Sequence, residues 1–437
     1  MLRLLRNRNF SLLWLGGLIS LMGDWALTVA LPFEVYRRTG STVATAGIVL
    51  AGVLPAFFLS SAAGVFVDRW NRRRLMVLVN IGLAITMLPL LAVDALGVWI
   101  VYVVLIAATV IEQAFIPAEV ALLPRLVGED QLVAANSMSS LNRNLARLLG
   151  PALGGAVVAL GGLELVVIVD AGTFLAAAIL IAMIPASAGA TIKQPIEDAA
   201  HAARSAVGRV VEEWRDGLRH VWHNHSLRPL LAFSLITTFG EGVLGALFVP
   251  WVSDVLHADN SAFAAILSAQ AVGGLVGAVV VGRFLKNVRP ALLLGIGSII
   301  FGFIDLAIFA YPLFTAIVPP AVVGMAVVGL PATAIGVGFV TLQQTLTKDS
   351  HRGRAIGLFG AVTALGVTTG TTVAGLAGNV VGILPMLVIQ GTGYVIAGVM
   401  IYVTIGRRPM LHGGETEVEP LIEAPPGPQA GAPRTAT

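Results

Sequence analysis

The sequence predicts an all-α integral membrane protein with twelve transmembrane helices in two pseudo-symmetric bundles of six. Three observations carry this expectation. Of 437 residues, 57% are hydrophobic and 12% charged, whereas a soluble domain is near half apolar and about a quarter charged. The apolar residues fall into about twelve runs long enough for a bilayer core, which takes about 20 residues per helix. When the loops between these runs are placed alternately on two sides, 25 of the 27 lysines and arginines fall on one side. Disorder is excluded for most of the chain, because it requires low hydrophobicity and high charge.

The runs lie at about 10–34, 42–66, 75–93, 97–118, 139–160, 163–184, 229–253, 261–282, 291–311, 317–341, 355–379 and 383–405. They are rich in Leu, Val, Ala and Ile, with many glycines, which let membrane helices approach closely. The alternating ten-residue strands of a membrane barrel are not seen. Arg3, Arg6 and Arg8 precede the first run, as in a signal peptide. That run continues for about 25 residues without a small-x-small cleavage site, so it reads as an uncleaved first span. Only Arg37 and Arg38 fall on the side opposite the other cations. The positive-inside rule therefore places both termini in the cytoplasm of a multi-pass protein, in the plasma or inner membrane.

Four regions follow: a six-helix bundle at 1–185, a cytoplasmic central loop at 186–228, a second bundle at 229–405 and a tail at 406–437. In the loop, Val207, Val211, Trp214, Leu218 and Val221 recur at helical spacing, with Arg209, Glu212, Arg215, Asp216 and Arg219 on the other face. This reads as an amphipathic linker helix on the inner leaflet. The tail, rich in Pro, Gly and Glu, is expected to be disordered. The halves look like repeats. Gly23-Asp24 in span 1 matches Gly240-Glu241 in span 7, each with a proline (Pro32, Pro250) towards the outer end. GVFVDRWNRRR (64–74) matches AVVVGRFLKNVR (278–289). A six-plus-six repeat with a long central loop is the layout of a rocking transporter whose substrate site lies between the halves.

Gly64-Val-Phe-Val-Asp68-Arg69-Trp-Asn71-Arg72-Arg73 resembles the loop 2–3 motif of the major facilitator superfamily, with Asn71 in place of the second glycine. Asn tolerates positive φ, so a tight turn is expected there. The resemblance implies an inner gate at Asp68, Arg69, Arg72 and Arg73, with Asp68 held against the start of helix 11. Ala146-Arg-Leu-Leu-Gly150-Pro151-Ala-Leu-Gly154-Gly155 resembles the antiporter motif of helix 5, with Ala146 for its first glycine. Three further stretches, at 115–137, 212–231 and 342–360, are similar to the third drug:proton antiporter branch. That branch contains macrolide-efflux proteins, tap-like multidrug pumps and enterobactin exporters. The likeness spans about residues 5–405 and implies the major facilitator fold and export. Many drug antiporters carry an arginine within helix 4; here none precedes Arg125.

Charge within a bilayer is costly, so each intramembrane ionisable group is a functional candidate. Asp24 leads. Ser20, Asp24 and Thr28 form a polar stripe at i, i+4 and i+8, echoed by Ser234, Thr238 and Glu241. The superfamily resemblance places helices 1, 4, 7 and 10 around a central cavity, so that Asp24 and Glu241 face each other. A carboxyl removed from water favours its neutral form, so Asp24 is expected to load and release the coupling proton and to attract cationic substrates. The alternative is a structural hydrogen bond to a neighbouring helix. Glu112 and Glu241 are the other coupling candidates. Trp25, Thr28, Gln113, Phe115 and Phe239 are expected cavity contacts, since aromatic rings stack on flat lipophilic compounds. Glu112 and Glu119 lie at the depth of Arg143 and Arg147, so ion pairs between helices 4 and 5 are expected. Asp170 and Asp305 fall in helices 6 and 9, peripheral by the same resemblance, and read as structural. Glu34, Asp94 and Asp254 sit at outer ends and read as solvated.

A membrane enzyme would need a nucleophile or metal constellation. There are no cysteines, and the seven histidines fall in loops or the tail. No metal-protease or nucleotide-binding signature occurs, so no metal, cofactor or direct ATP drive is expected. A net charge of +3 gives no reason to expect nucleic acid. The expected function is export of lipophilic, often cationic small molecules by proton antiport, through a monomer whose partners are substrate, protons and lipid. The alternative is export of one metabolite, such as a siderophore or lipid.

Overall fold

The computed structural model describes residues 4–67, 70–189, 227–347 and 352–406. A chain inside lipid must satisfy its backbone polar groups internally, and helices do this within each segment. Among the described residues eleven helices are long and apolar enough to cross a bilayer. They are α1 (Arg8–Thr39), α2 (Thr42–Val67), α3 (Arg72–Leu96), α4 (Trp99–Val127), a 51-residue helix Leu132–Ala182, α7 (Leu227–Val255), α8 (Asn260–Phe284), α9 (Pro290–Leu313), α10 (Pro319–Leu346), α11 (Arg352–Val381) and α12 (Ile383–Gly406). An unbroken 51-residue helix would run about 76 Å, more than twice a hydrocarbon core. It is broken at Gly161 and Gly162, where Gly162 takes φ +63, a conformation that side-chain-bearing residues resist. The two pieces are α5 (132–160) and α6 (163–182), and the spans number twelve as expected.

The same packing pattern occurs in both halves. α1 lies on α5 and α6, as α7 lies on α11 and α12. α2 packs on α4 as α8 packs on α10, and α3 on α6 as α9 on α12. Between the halves, α2 packs on α11 and α5 on α8.

Both loop-side caps and inter-helix ties follow from local sequence. Asn7 caps α1, its side chain accepting from the N–H groups of Asn9 and Phe10. Asp259 caps α8, accepting from the Ala262 N–H and the Ser261 hydroxyl. Asn71 departs from the expected tight turn. Its φ is −63, and its side chain caps α3 by accepting from the Arg74 N–H at 3.1 Å. Asn serves there as a cap, a role for which its short acceptor suits it.

Call the side bearing the start of α1 the near face and the side of the 39–42 turn the far face. The halves are joined at the far face. Thr42 donates to the Gly375 carbonyl at 2.8 Å and meets Asn379 Oδ1 at 3.1 Å. Thr45 bonds the Ala246 carbonyl at 2.8 Å, and the Tyr36 hydroxyl donates to Asp254. Phe33 packs on Phe263, which meets Phe248 edge-on; Phe248 stacks on Trp251. This aromatic cluster seals one end of the space between the halves. Asp254 is thus an inter-half partner of Tyr36, and Glu34 pairs with Arg37 and Arg38 while Arg38 also pairs with Asp94. Asp94 and Asp254 are exposed as expected, though each has a partner, whereas Glu34 is largely covered by its two arginines. A cavity of about 550 Å³ lies outside this seal, lined by Glu34, Asp94, Glu164 and Asp259 among others.

Each hydrogen bond at the seal contributes about 1 kcal/mol. Thr42→Val is therefore expected to shift the chain towards far-face opening. The sequence has no native cysteine, so spin labels on Ser41→Cys and Val380→Cys report the α2–α11 separation alone. Longer inter-label distances are expected in Thr42→Val; an unaltered distribution would deny Thr42 a part in the seal.

Candidate functional site

The intramembrane carboxyls gather near the middle of their helices in two groups. In the N-terminal half, Gly23 has no side chain where α1 crosses α6. A Cβ there would run into the carboxylate of Asp170 and the hydroxyl of Thr173. The close approach sets Asp24, the next residue, beside Asp170. Asp24 is half-buried and lies within electrostatic reach of both Asp170 and Glu112. Asp170 is 0% exposed; its Oδ1 receives a 3.4 Å contact from the Thr173 hydroxyl, and its Oδ2 has no hydrogen-bond partner. Glu112 is exposed at the kink of α4, next to Gln113, whose amide donates to the Thr109 carbonyl at 3.3 Å. Three acids on α1, α4 and α6 therefore share one neighbourhood.

The helix 5 motif builds the wall behind them. A Cβ on Gly150 would collide with Trp25, and one on Gly154 would lie 2.5 Å from Ala26 Cα. Pro151 is buried between them. A Cβ on Gly155 would meet Ala264 of α8, across the interface between halves. The four motif residues thus seat α1 at the residues flanking Asp24 and bring the halves together. The Trp25 side chain sets out from α1 against Gly150 of α5 and is half-buried.

In the C-terminal half, the Tyr394 hydroxyl of α12 donates to Glu241 Oε1 at 2.5 Å. Asp305 of α9 lies within electrostatic reach of Glu241 and Tyr394. Asp305 is 2% exposed with Oδ2 unpartnered, and Gln390 is 1% exposed with neither amide atom partnered. Glu241 is exposed between the halves and feels Arg147 of α5.

Several expected arrangements change. Arg147 acts electrostatically on Glu241 of the other half, and no Glu112–Arg147 ion pair occurs among the described residues. Arg143 is the charged neighbour of Glu119, and its guanidinium also meets the Ser140 hydroxyl at 3.0 Å. The charged neighbours of Asp24 are Asp170 and Glu112, whereas Arg147 and Asp305 are those of Glu241. Thr28 is exposed, and its hydroxyl donates to the Asp24 backbone carbonyl at 2.8 Å. Phe115 packs into the N-terminal core. Phe239 edges an apolar recess of about 450 Å³ between α7, α11 and α12. Of the loop 2–3 motif, Asp68 and Arg69 lie outside the described residues, as do the amphipathic stretch at 207–221 and the tail from 407. Arg72 opens α3. Arg73 bonds the Ala182 carbonyl and Asn71 the Ala186 carbonyl, so this part of the motif braces α3 against the end of α6.

Asp170 and Asp305 are the residues that the sequence reading set aside. Asp305 is the one charged residue of its span, and Asp170 shares its span only with Glu164 at the outer end. The cost of that charge was the signal; the peripheral rank of their helices overrode it.

Comparison with known proteins agrees with this layout. The profile of the family described as "Transmembrane secretion effector" matches residues 2–420. The multidrug efflux pump Tap of Mycolicibacterium fortuitum is 27% identical over 84% of this chain and 90% of its own. Macrolide efflux protein A of Streptococcus pyogenes is 24% identical, covering 88% and 93%. The enterobactin exporter EntS of Citrobacter koseri is 25% identical, covering 91% and 92%. Among solved structures, a bacterial homologue of the iron transporter ferroportin in an inward-facing state superposes with TM-score 0.68 at 18% identity, covering 91% of this chain and 98% of that one. That likeness concerns the fold alone.

Proposed function

The chain belongs to the transmembrane secretion effector family of the major facilitator superfamily, and we propose that it exports lipophilic, often cationic small molecules in exchange for protons. The observation that supports this reading is the mid-helix position of Asp24, with Asp170 and Glu112 as neighbours, in a chain whose halves are tied together at the far face. Three acids with no cation among the charged neighbours of Asp24 cannot all be ionised cheaply. They favour either a bound proton or a bound cation, and competition between the two is what an exchanger requires. By the positive-inside rule the near face is cytoplasmic. The conformation described is then the one that loads substrate from the cytoplasm. Rocking of the halves would break the Thr42, Thr45 and Tyr36 contacts, open the far face and let a proton displace the cation. Similarity to a multidrug pump and a macrolide efflux protein over most of their lengths supports export of drug-like compounds. A monomer in the plasma membrane suffices, because one chain encloses the route.

Efflux of ethidium from energised cells expressing the chain tests this. Efflux is expected to collapse when a protonophore is added. Efflux that survives the protonophore would overturn proton coupling. Well-inserted protein that exports no dye would favour a single dedicated metabolite, as in the enterobactin exporter to which the chain is similar.

A further inference from the structure

We propose that Glu241, Tyr394 and Asp305 form a second proton-binding centre, in the C-terminal half, whose proton load is set by Arg147 of the N-terminal half. The inference rests on reading the chain as a transporter whose halves rock, but on no particular substrate.

The centre is built and enclosed. Asp305 is the one charged residue of α9, is 2% exposed and has an oxygen without a partner. On α12, one turn before Tyr394, Gln390 is buried with both amide atoms unpartnered. A Cβ on Gly240 would lie 3.1 Å from Gln390 Cα, so α7 is pressed against α12 and Glu241 is delivered to the Tyr394 hydroxyl. Phe301 packs on the Tyr394 ring, with centroids 4.3 Å apart, and fixes where that hydroxyl points.

The neighbouring charges can be enumerated from the helices packed around the centre. α10 carries no titratable side chain. α12 carries Tyr394 and, at its near-face end, Tyr402. On α7, Arg228 and Asp254 lie at the two ends; α9 adds only Tyr311, at its far end, and the two arginines of α11 lie at its near-face start. The mid-helix cation within electrostatic reach of the centre is Arg147 of α5, which acts on Glu241.

Charge balance then fixes the load. Two carboxylates and one guanidinium leave one excess negative charge in a low-dielectric interior, where an uncompensated ion is expensive. With Arg147 near Glu241, one proton on the acid pair removes the excess. With Arg147 withdrawn, two protons are needed. Arg147 and Glu241 sit on different halves, so the rocking that alternates access also moves the guanidinium relative to the acids. The exposed Glu241 is the entry point for protons, Tyr394 bridges towards the interior, and Asp305 is the enclosed acceptor. No electron transfer or bond rearrangement beyond proton exchange is involved. This centre has its own neighbours and is separate from the Asp24, Asp170 and Glu112 group.

Infrared pH-difference spectra of the full chain in lipid vesicles test the proposal through the C=O band of protonated carboxyls. With Asp24→Asn as background, a titrating carboxyl band should remain. Adding Asp305→Asn should remove one carboxyl from it, and Asp305→Glu should restore it. Arg147→Gln, at an exposed position, should let the pair keep its last proton at about tenfold lower proton concentration, a shift of about one pH unit. A band that is identical with and without Asp305 would overturn the centre. A titration unmoved by Arg147→Gln would overturn its control by the other half. An unaltered amide band and elution profile separate these losses from misfolding, and Glu241→Gln, at a solvent-reached position, provides an independent removal of one carboxyl. The readout needs no substrate, so a failure of dye efflux and a failure of this centre are distinguishable.

Discussion

Asp24→Asn is expected to lower ethidium efflux to the level of cells lacking the transporter, while the protein inserts and elutes like wild type. Asn is nearly isosteric with Asp and retains an acceptor oxygen. If the role of Asp24 were a structural hydrogen bond, Asn would preserve much of it. What Asn cannot do is change charge, so it neither holds a dissociable proton nor attracts a cation. The surroundings sharpen this distinction. The Thr28 hydroxyl is satisfied by the Asp24 backbone carbonyl rather than its carboxylate. Asp170 and Glu112, the charged neighbours, are acids that make an additional charge at residue 24 costly. Removing that charge should leave the fold intact or more stable, and loss of transport with retained stability is therefore the signature of coupling. Pump activity that remains sensitive to pH in Asp24→Asn would return Asp24 to a packing role.

Gly154→Val is expected to destabilise the chain by about 3 kcal/mol, at the upper end of overpacking costs, and to abolish transport. The reason is backbone proximity. Even a Cβ at residue 154 would sit 2.5 Å from Ala26 Cα and 3.0 Å from Ala26 Cβ, atoms that cannot rotate away. α1 must move off α5, and the segment that moves carries Trp25 and Asp24. A control lies in the same hairpin. Gly172 on α6 has no atom within 4 Å of an added Cβ. Gly172→Ala should be neutral or slightly stabilising, as helix propensity favours Ala by about 1 kcal/mol. Thermal unfolding in detergent measures both. Equal midpoints for the two variants would contradict the close α1–α5 contact.

The fold was legible because its signals are long-range in sequence and few in kind. Runs of about 20 apolar residues and one-sided arginines define the twelve spans, and the break at Gly161-Gly162 falls between two runs read as separate. Gly23-Asp24 and Gly240-Glu241 were readable as equivalents, and both glycines prove to be helix-crossing points. The partners of those acids were not readable. Which acid meets which cation depends on helix rotation and on the contact between halves, and hydropathy fixes neither. Arg147 and Glu112 lie at similar depth, yet it is Glu241 of the other half that Arg147 acts on electrostatically. Phe115 was grouped with the cavity by its aromatic character, but a ring in a membrane helix packs equally well against a neighbouring core. Asn71 shows a local version of the same limit: its side chain suits both a left-handed turn and a helix cap, and the cap is what forms.

Proton movement driven by ethidium alone tests the central claim most directly. The purified chain is reconstituted into vesicles at equal pH inside and out, with a pH-sensitive dye in the lumen. Ethidium is then added outside. An exchanger runs in either direction, so ethidium entering should drive protons out and raise the lumenal pH, in wild type but not in Asp24→Asn. Ethidium is a permanent cation and carries no proton by leaking across lipid. A lumen that stays at its starting pH while ethidium enters through the wild-type protein would contradict proton exchange.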